Sequence, residues 1–334
     1  MKRIILKRLA MLVLVLLGVT LITFFLSHVI PGDPARMMVG QRASEETLQE
    51  VRRQLGLDQP VWVQYLTYMK GLFAGDFGTS IRTQQPVVHD LIAFFPATLE
   101  LAITAFIIAI AIGIPLGVLS AVKKDTGWDH SSRFFSIAGI STPVFWSGLV
   151  GILIFYKFLG ALPSSGRLDL TVPAPTKITG LYLFDSLLTG NWAAFKNSLW
   201  HLILPAFTLA FAQLAIVTRQ VRSSMLEVLG QDYIRTALAN GIHGPVLLIR
   251  YALRNALIPT ITVVGLSFGS LLGGAVVTET IFSWPGMGKY VVDSIAFLDF
   301  PAMMGFTFVI SFGYVVINLL VDLTYYVLDP QIKE

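Results

Sequence analysis

Apolar residues fall into six long blocks along this chain, with polar stretches between them. The blocks are Leu9–Ile30, Ala97–Val122, Phe134–Leu159, Leu199–Val221, Pro259–Phe282 and Ala302–Leu328. Each has room for the ~20 residues that cross a ~30 Å hydrocarbon core. All are predicted as helices, because lipid offers backbone N–H and C=O groups no other partner. The fold class is therefore an all-α polytopic membrane protein with six transmembrane helices, and residues 1–334 form one transmembrane domain. The first block follows Lys2, Arg3, Lys7 and Arg8. A cleaved signal peptide has an apolar core of only ~7–15 residues and a small-residue cleavage site. This block is longer and runs into His28-Val29-Ile30-Pro31, so it is read as an uncleaved anchor.

An even number of spans puts both termini on one side. Lys and Arg gather at the amino-terminal tip, at Lys123, Lys124 and Arg133, and at Arg219, Arg222, Arg235, Arg250 and Arg254. The positive-inside rule makes that side cytoplasmic, together with the loop 222–258. The segments 31–96 and 160–198 are then external. In the first, Ser44 is placed to cap a helix with Leu48, Val51 and Leu55 on one face, ending at Gly56. Asp58 and Pro60 open another, with Trp62, Tyr65, Tyr68, Met69 and Leu72. This reads as a small helical cap over the outer mouth or a docking surface for an external partner. The second external segment is loop, with a short amphipathic piece at Leu181–Leu188.

The loop 222–258 is polar and helical, set among membrane blocks. Ser224 and Glu227 have capping-box spacing, which predicts the start of a helix extension there. Asp232 is placed to cap the turns after it. Ile234, Ala237, Leu238 and Gly241 occupy adjoining helical positions, small Ala237 and Ala239 permit close approach, and Gly241 suits a helix end. From Asp232 to Asn240 such a helix is only ~13 Å long, which is marginal alone. It calls for a docking groove in a cytoplasmic partner, the alternative being a solvated loop helix.

Composition agrees with a membrane chain. It is 54% hydrophobic and 13% charged, with mean hydropathy +0.71, against about 25% charged in an average soluble domain. The absence of Cys excludes disulfides, thiolate metal sites and a thiol nucleophile. A net charge of +4 gives no support to nucleic-acid binding.

Candidate chemistry is sparse. Gly265-Leu266-Ser267-Phe268-Gly269 matches the G-x-S-x-G hydrolase pattern, but it lies inside a membrane block where no strand-turn-helix elbow can form. Gly265, Gly269 and Gly273 instead recur every four residues, the small-residue pattern of close helix packing. Gly286-Met287-Gly288-Lys289 resembles the end of a phosphate loop but lacks its first glycine and its Ser or Thr, so no nucleotide site is expected on this chain. No His arrangement suggests a metal, and no catalytic residue is nominated. Glu100, Lys157, Glu279 and Asp322 are ionisable groups in or near the blocks, and such groups are costly in lipid. Glu100 and Glu279 lie near external ends, either at the interface or lining a polar translocation path. Asp322 suits a helix–helix hydrogen bond.

Gln231-Asp232-Tyr233-Ile234-Arg235-Thr236-Ala237-Leu238-Ala239-Asn240-Gly241, followed by Leu253-Arg254-Asn255-Ala256-Leu257-Ile258-Pro259, resembles the EAA loop of bacterial ABC-importer permeases. Further matches to the dipeptide/oligopeptide/nickel branch are Ile30-Pro31-Gly32-Asp33-Pro34, Leu55-Gly56-Leu57-Asp58, Gly75-Asp76-Phe77-Gly78-Thr79-Ser80, Ala97-Thr98-Leu99-Glu100-Leu101, Thr278 to Gly288 and Asn318 to Leu323. The resemblance covers essentially the whole chain and is closest to the dipeptide-type first permease subunit. It implies the type I importer permease fold with a cytoplasmic coupling helix, in a bacterial or archaeal inner membrane. It further implies a homologous second permease, two cytoplasmic ATPases that use ATP and Mg, and an external solute-binding protein. In such a system Asp232, Tyr233, Ile234, Arg235, Thr236, Ala237, Leu238, Ala239 and Gly241 couple to the ATPase. Leu238 and Asn240 stand where many relatives are basic, and Tyr251 replaces an expected His. The branch also imports nickel and glutathione. Outside it, a secondary transporter would show inverted repeats or a buried ion site, and a membrane enzyme would want His or Cys ligands.

Overall fold

The computed structural model describes residues 2–29, 34–40, 42–54 and 56–328, with side chains between 10 and 321 except 34 and 37. Ile30 to Asp33, Leu55 and the side chains of Lys2, Arg3, Lys7, Arg8 and Asp322 lie outside that set. Among the described residues, five helices are long and apolar enough to cross a membrane: Ala10–Val29, Val87–Val122, Trp192–Leu229, Gly244–Ile281 and Phe300–Val321. Two shorter helices, Gly127–Ser141 and Val144–Phe158, reach that length and apolarity only together and are bent by 107° where they meet, as in a broken span or a re-entrant loop. The apolar block Phe134–Leu159, expected as a single helix, is broken at Thr142–Pro143. Proline has no N–H and disfavours helix in the residue before it. Thr142 is accordingly extended (φ −85°, ψ 123°) before Pro143.

In chain order the helices are α1 (Lys2–Val29), α2 (Pro34–Val39), α3 (Glu45–Gln54), α4 (Val61–Phe73), α5 (Val87–Val122), α6 (Gly127–Ser141) and α7 (Val144–Gly151). They continue as α8 (Tyr182–Leu188), α9 (Trp192–Leu229), α10 (Asp232–Ala239), α11 (Gly244–Val246), α12 (Arg254–Ile281), α13 (Met287–Ala296) and α14 (Phe300–Leu328). Wider π-type turns extend α7 over Ile152–Phe158 and join α11 to α12 over Leu247–Leu253. Several helices outrun their apolar blocks. α9 passes through Pro205 and α12 through Pro259. Membrane helices tolerate this because Ser and Thr hydroxyls and neighbouring helices satisfy the backbone. In α12, Thr260 donates to the Ala256 carbonyl and Ser267 to that of Val263.

The chain divides into two compact units. The first comprises Met1–Thr98 and Pro285–Val315. Its core is Val87, Leu91, Met287, Tyr290 and Ala302, with Phe77, Phe94 and Phe306 against it. Two carboxylates tie its loops. Asp90 accepts from Thr83 Oγ1 (2.6 Å) and the Tyr290 hydroxyl (3.0 Å). Asp299 accepts from Ser80 Oγ (2.5 Å) and the Arg82 N–H (3.1 Å). Burial first, and the Asp90 charge after it, push the Tyr290 phenol well above its ordinary pKa, so it remains a donor. Ser44 caps α3 by accepting the Thr47 N–H at 3.2 Å, Leu48 is buried, and Gly56 has φ +68° beyond the helix end.

The second unit comprises Leu99–Trp284 and Val316–Glu334. α9 runs through it and packs on α6, α8 and α12. Glycines permit the closest approaches. A Cβ on Gly117 would lie 2.6 Å from Val221 Cβ, and one on Gly139 2.7 Å from Ala215 Cβ.

Candidate functional site: the loop helix and its mounting

α10 is a short helix whose two ends are defined by different means. Gln231 is its N-cap and makes no side-chain cap bond, while Asp232 is the first helical residue. This corrects the expectation that Asp232 caps the helix. Its carboxylate lies in the first turn, favoured by the helix dipole, and pairs with Arg235 Nη1 at 3.1 Å in solvent. The other end is a Schellman motif. The Gly241 N–H donates to the Leu238 carbonyl (3.0 Å) and the Ile242 N–H to that of Ala237 (3.0 Å). Gly241 sits at φ +80°, the left-handed position that this motif requires.

The predicted helix start at Ser224 is absent. α9 continues unbroken to Leu229, so Ser224 and Glu227 lie in its interior and the capping-box spacing carries no boundary. Two residues mount α10. Ile234 and Ala237 are buried in one apolar cluster with Val217, Val221 and Met225 of α9, Ala121 of α5, Leu247 and Ala252 of the π-type turn, and Ala256 of α12. Asp232, Tyr233, Arg235, Thr236, Leu238 and Ala239 all face outward. A polar strut adds to the mounting. Asn255 Nδ2 donates both to the Tyr233 hydroxyl (3.1 Å) and to the Tyr251 carbonyl (2.8 Å). Beside this strut lies a cleft of about 560 Å³ lined by Ser224, Glu227, Val228, Gln231, Tyr233, Asn255 and Pro259. The arrangement offers a firmly held knob with an exposed polar and apolar face, linked by Gly230 and Gln231 to α9 and packed on residues that lead into α12.

A second clamp was not visible in the sequence. Arg222 donates through Nε (2.6 Å) and Nη2 (2.8 Å) to the two oxygens of Asp129, which also accepts from Ser120 Oγ at 2.6 Å. Asp129 is fully buried. From sequence Arg222 is only one of the basic residues that set topology, because nothing in residue spacing links positions 93 apart. The close approach at Gly117 carries a signal that the sequence analysis passed over: Gly113 and Gly117 have the same four-residue spacing as the stripe in α12.

The other nominated residues lie apart from the loop helix. Glu100 is buried and both its oxygens are engaged. Arg167 Nη2 donates to one at 2.6 Å and the Leu183 N–H to the other at 2.8 Å. The guanidinium also stacks 3.7 Å above the Tyr182 ring. Glu100 thus anchors the 160–198 segment and presents no free oxygen to a path in this conformation. Glu279 is completely buried in α12. The three glycines divide. A Cβ on Gly265 would collide with Val321 of α14, Gly269 is buried, and Gly273 has open space beside it. Ser267 of the hydrolase-like pattern donates to the Val263 carbonyl. Among the described residues, no group of three His, Asp or Glu side chains could hold a metal ion.

Comparison with known proteins gives full-length matches. Residues 113–334 match the family described as binding-protein-dependent transport system inner membrane component. Residues 1–102 match the corresponding N-terminal family. The chain is similar to the probable D,D-dipeptide transport system permease protein DdpB of Escherichia coli K12, at 59% identity over 96% of this chain and 94% of that protein. It is 46% identical to the dipeptide transport system permease protein DppB of Alkalihalophilus pseudofirmus, over 98% of each chain. Its identity to the oligopeptide transport system permease protein AppB of Bacillus subtilis is 40%, again over 98% of each.

Proposed function

Because the chain belongs to the binding-protein-dependent transport inner-membrane component family, we propose how this permease subunit of a peptide ABC importer is coupled and what it carries. It is a multi-pass membrane transport subunit and not an enzyme. Its partners in our reading are a homologous second permease, which completes the translocation path, two cytoplasmic ATPases, and an external solute-binding protein. ATP and Mg act on the ATPases. Both termini and α10 face the cytoplasm, as the basic residues of the connecting loops suggest.

One observation carries the coupling role: α10 buries only Ile234 and Ala237 and leaves its other side chains exposed on a mounting shared by α9 and α12. An ATPase cleft that receives the outer face and moves on ATP binding would drag those long helices with it. The apolar cluster, the Asn255–Tyr233 bond and the cap at Gly241 transmit the displacement. The Asp129–Arg222 clamp keeps α6 and α9 together while they move.

Dipeptides are the proposed cargo, supported by the dipeptide permeases among the relatives. The test is uptake of labelled L,L- and D,D-dipeptides, longer peptides and nickel, with and without this chain. ATP-dependent dipeptide uptake that disappears with the chain is expected. Uptake that survives ATP depletion contradicts the coupling scheme, and nickel uptake without peptide uptake contradicts the cargo.

A further inference from the structure

We infer that α4 is seated in the lipid leaflet beside the Val29 end of α1, with its outward apolar face covered by acyl chains rather than by water or protein. The first argument is depth. α4 packs along the face of α1 that carries Thr20, Phe24 and His28. The Tyr65 hydroxyl lies 3.3 Å from Thr20 Oγ1, and His28 Nε2 lies 3.0 Å from Gln64 Oε1. The Phe24 ring centroid is 5.2 Å from that of Tyr65 and 6.1 Å from that of Tyr68. The α1 span is Ala10–Val29. Thr20 is nine residues before Val29, which at 1.5 Å per residue is ~14 Å down the axis of a helix whose length and composition suit a membrane span. A tyrosine side chain covers only part of that depth, so the α4 backbone itself lies below the end of the span.

The second argument is surface chemistry. Trp62, Leu66 and Phe73 are 67%, 59% and 84% exposed and share one side of the helix with half-buried Met69. Lys70 is the only charged residue in α4, and its long stem lets the ammonium reach the headgroup layer. The preceding helix contrasts with it: α3 carries Glu45, Glu46, Glu50, Arg52 and Arg53, as a water-facing helix should. A cap standing in water would expose charge on both helices.

The third argument is continuity. At the same level α1 exposes Leu21, Ile22, Phe25 and Leu26, the side that a membrane span gives to lipid. The polar side chains between the helices are satisfied locally. Gln64 donates to the Gln59 carbonyl at 2.8 Å and Ser27 to that of Phe24 at 2.7 Å. Among the described residues, the buried side-chain polar atoms that lack a partner include none in α1 or α4. The helical segment that the sequence suggested as a cap or docking surface therefore splits, with α3 in water and α4 in lipid.

The chain has no Cys, so single cysteines introduced at Leu66 and Phe73 can carry unique nitroxide labels. Leu26→Cys serves as the lipid reference and Glu50→Cys as the water reference. The full transporter is reconstituted in phosphatidylethanolamine/phosphatidylglycerol vesicles. Collision with oxygen and with a water-soluble nickel chelate is then measured by power-saturation spectroscopy. Labels at 66 and 73 should match the oxygen-to-nickel ratio at position 26, several-fold above that at position 50. A ratio like that at 50 overturns the proposal in favour of a water-facing docking surface. Protection from both reagents overturns it in favour of a protein-covered interface.

Discussion

Replacing Gly241 separates two explanations of the loop helix. Gly241 is held at φ +80°, and a Cβ built on it meets nothing within 4 Å. Substitution therefore creates no clash inside this chain. The cost is conformational, ~1–2 kcal/mol for an L-residue in the left-handed region and higher for a β-branched one. Asn enters that region several times more readily than other residues. Since 1.4 kcal/mol is about tenfold in an equilibrium constant, the constant for forming the Schellman end should fall roughly tenfold in Gly241→Ala and further in Gly241→Val. It should stay near wild type in Gly241→Asn. The assay is ATP-driven dipeptide uptake normalised to membrane-inserted protein. Uptake should rank Gly, then Asn, then Ala, then Val, with insertion unchanged. If Asn, Ala and Val are equally impaired, the backbone argument fails and side-chain bulk against a partner explains the position. If Val transports normally, the coupling role itself fails.

Further outcomes follow from other contacts. Asp129→Ala leaves Arg222 without its bidentate partner, and breaking a buried pair of this kind costs on the order of 3 kcal/mol. The purified protein should melt several degrees lower, and an unchanged Tm removes the clamp from the account. Gly117→Ala overpacks against Val221 and should cost ~1–3 kcal/mol, measured by thermal unfolding in detergent. Gly273→Ala should be neutral in the isolated chain, because nothing stands beside it. Asn255→Ala removes the Tyr233 strut and should reduce uptake with little loss of stability, and Tyr233→Phe should act in the same direction. Burial alone would raise the Asp185 carboxyl, but bonds from Thr179, Gly180 and Ile178 together bring it below its ordinary value. A depressed folded-state pKa gives stability that is complete above the unfolded value, ~4, and lost as pH falls through the folded value. Wild-type Tm should therefore drop below about pH 4, and Asp185→Asn should melt lower at pH 7 with a flatter acid limb.

The sequence conveyed the membrane class and the helices because lipid enforces a simple rule: apolar runs of sufficient length must be helical. α10 was legible within a residue, since Gly241 and the Ile234/Ala237 pair are local signals. Its cap was misassigned because Asp232 and Gln231 are adjacent, and only backbone dihedrals decide which residue turns the first peptide. Ser224 misled for the converse reason: a capping-box spacing inside a long helix has no free N–H to satisfy. The break at Pro143 was present in the sequence, but the apolar character on both sides concealed it. Long-range pairings were not legible. Glu100 finds Arg167 and Asp129 finds Arg222 only after the helices are packed, which is why Glu100 looked like a candidate for a polar path. The same holds for α4: Trp62, Tyr65, Tyr68, Met69 and Leu72 marked a helix, while its outward Leu66 and Phe73 and its depth, which depends on Tyr65 reaching Thr20, emerge only in the fold.

The most direct test of the central claim uses the cysteine-free background once more. Single cysteines at Leu238 and Ala239, on the outer face of α10, are cross-linked to the ATPase subunit with a short bifunctional reagent in inside-out vesicles, with and without ATP. Efficient cross-linking at both sites, altered by ATP and absent from Glu50→Cys, is the expected result. Cross-linking no stronger at 238 and 239 than at 50 contradicts the assignment of α10 as the element that the ATPase moves.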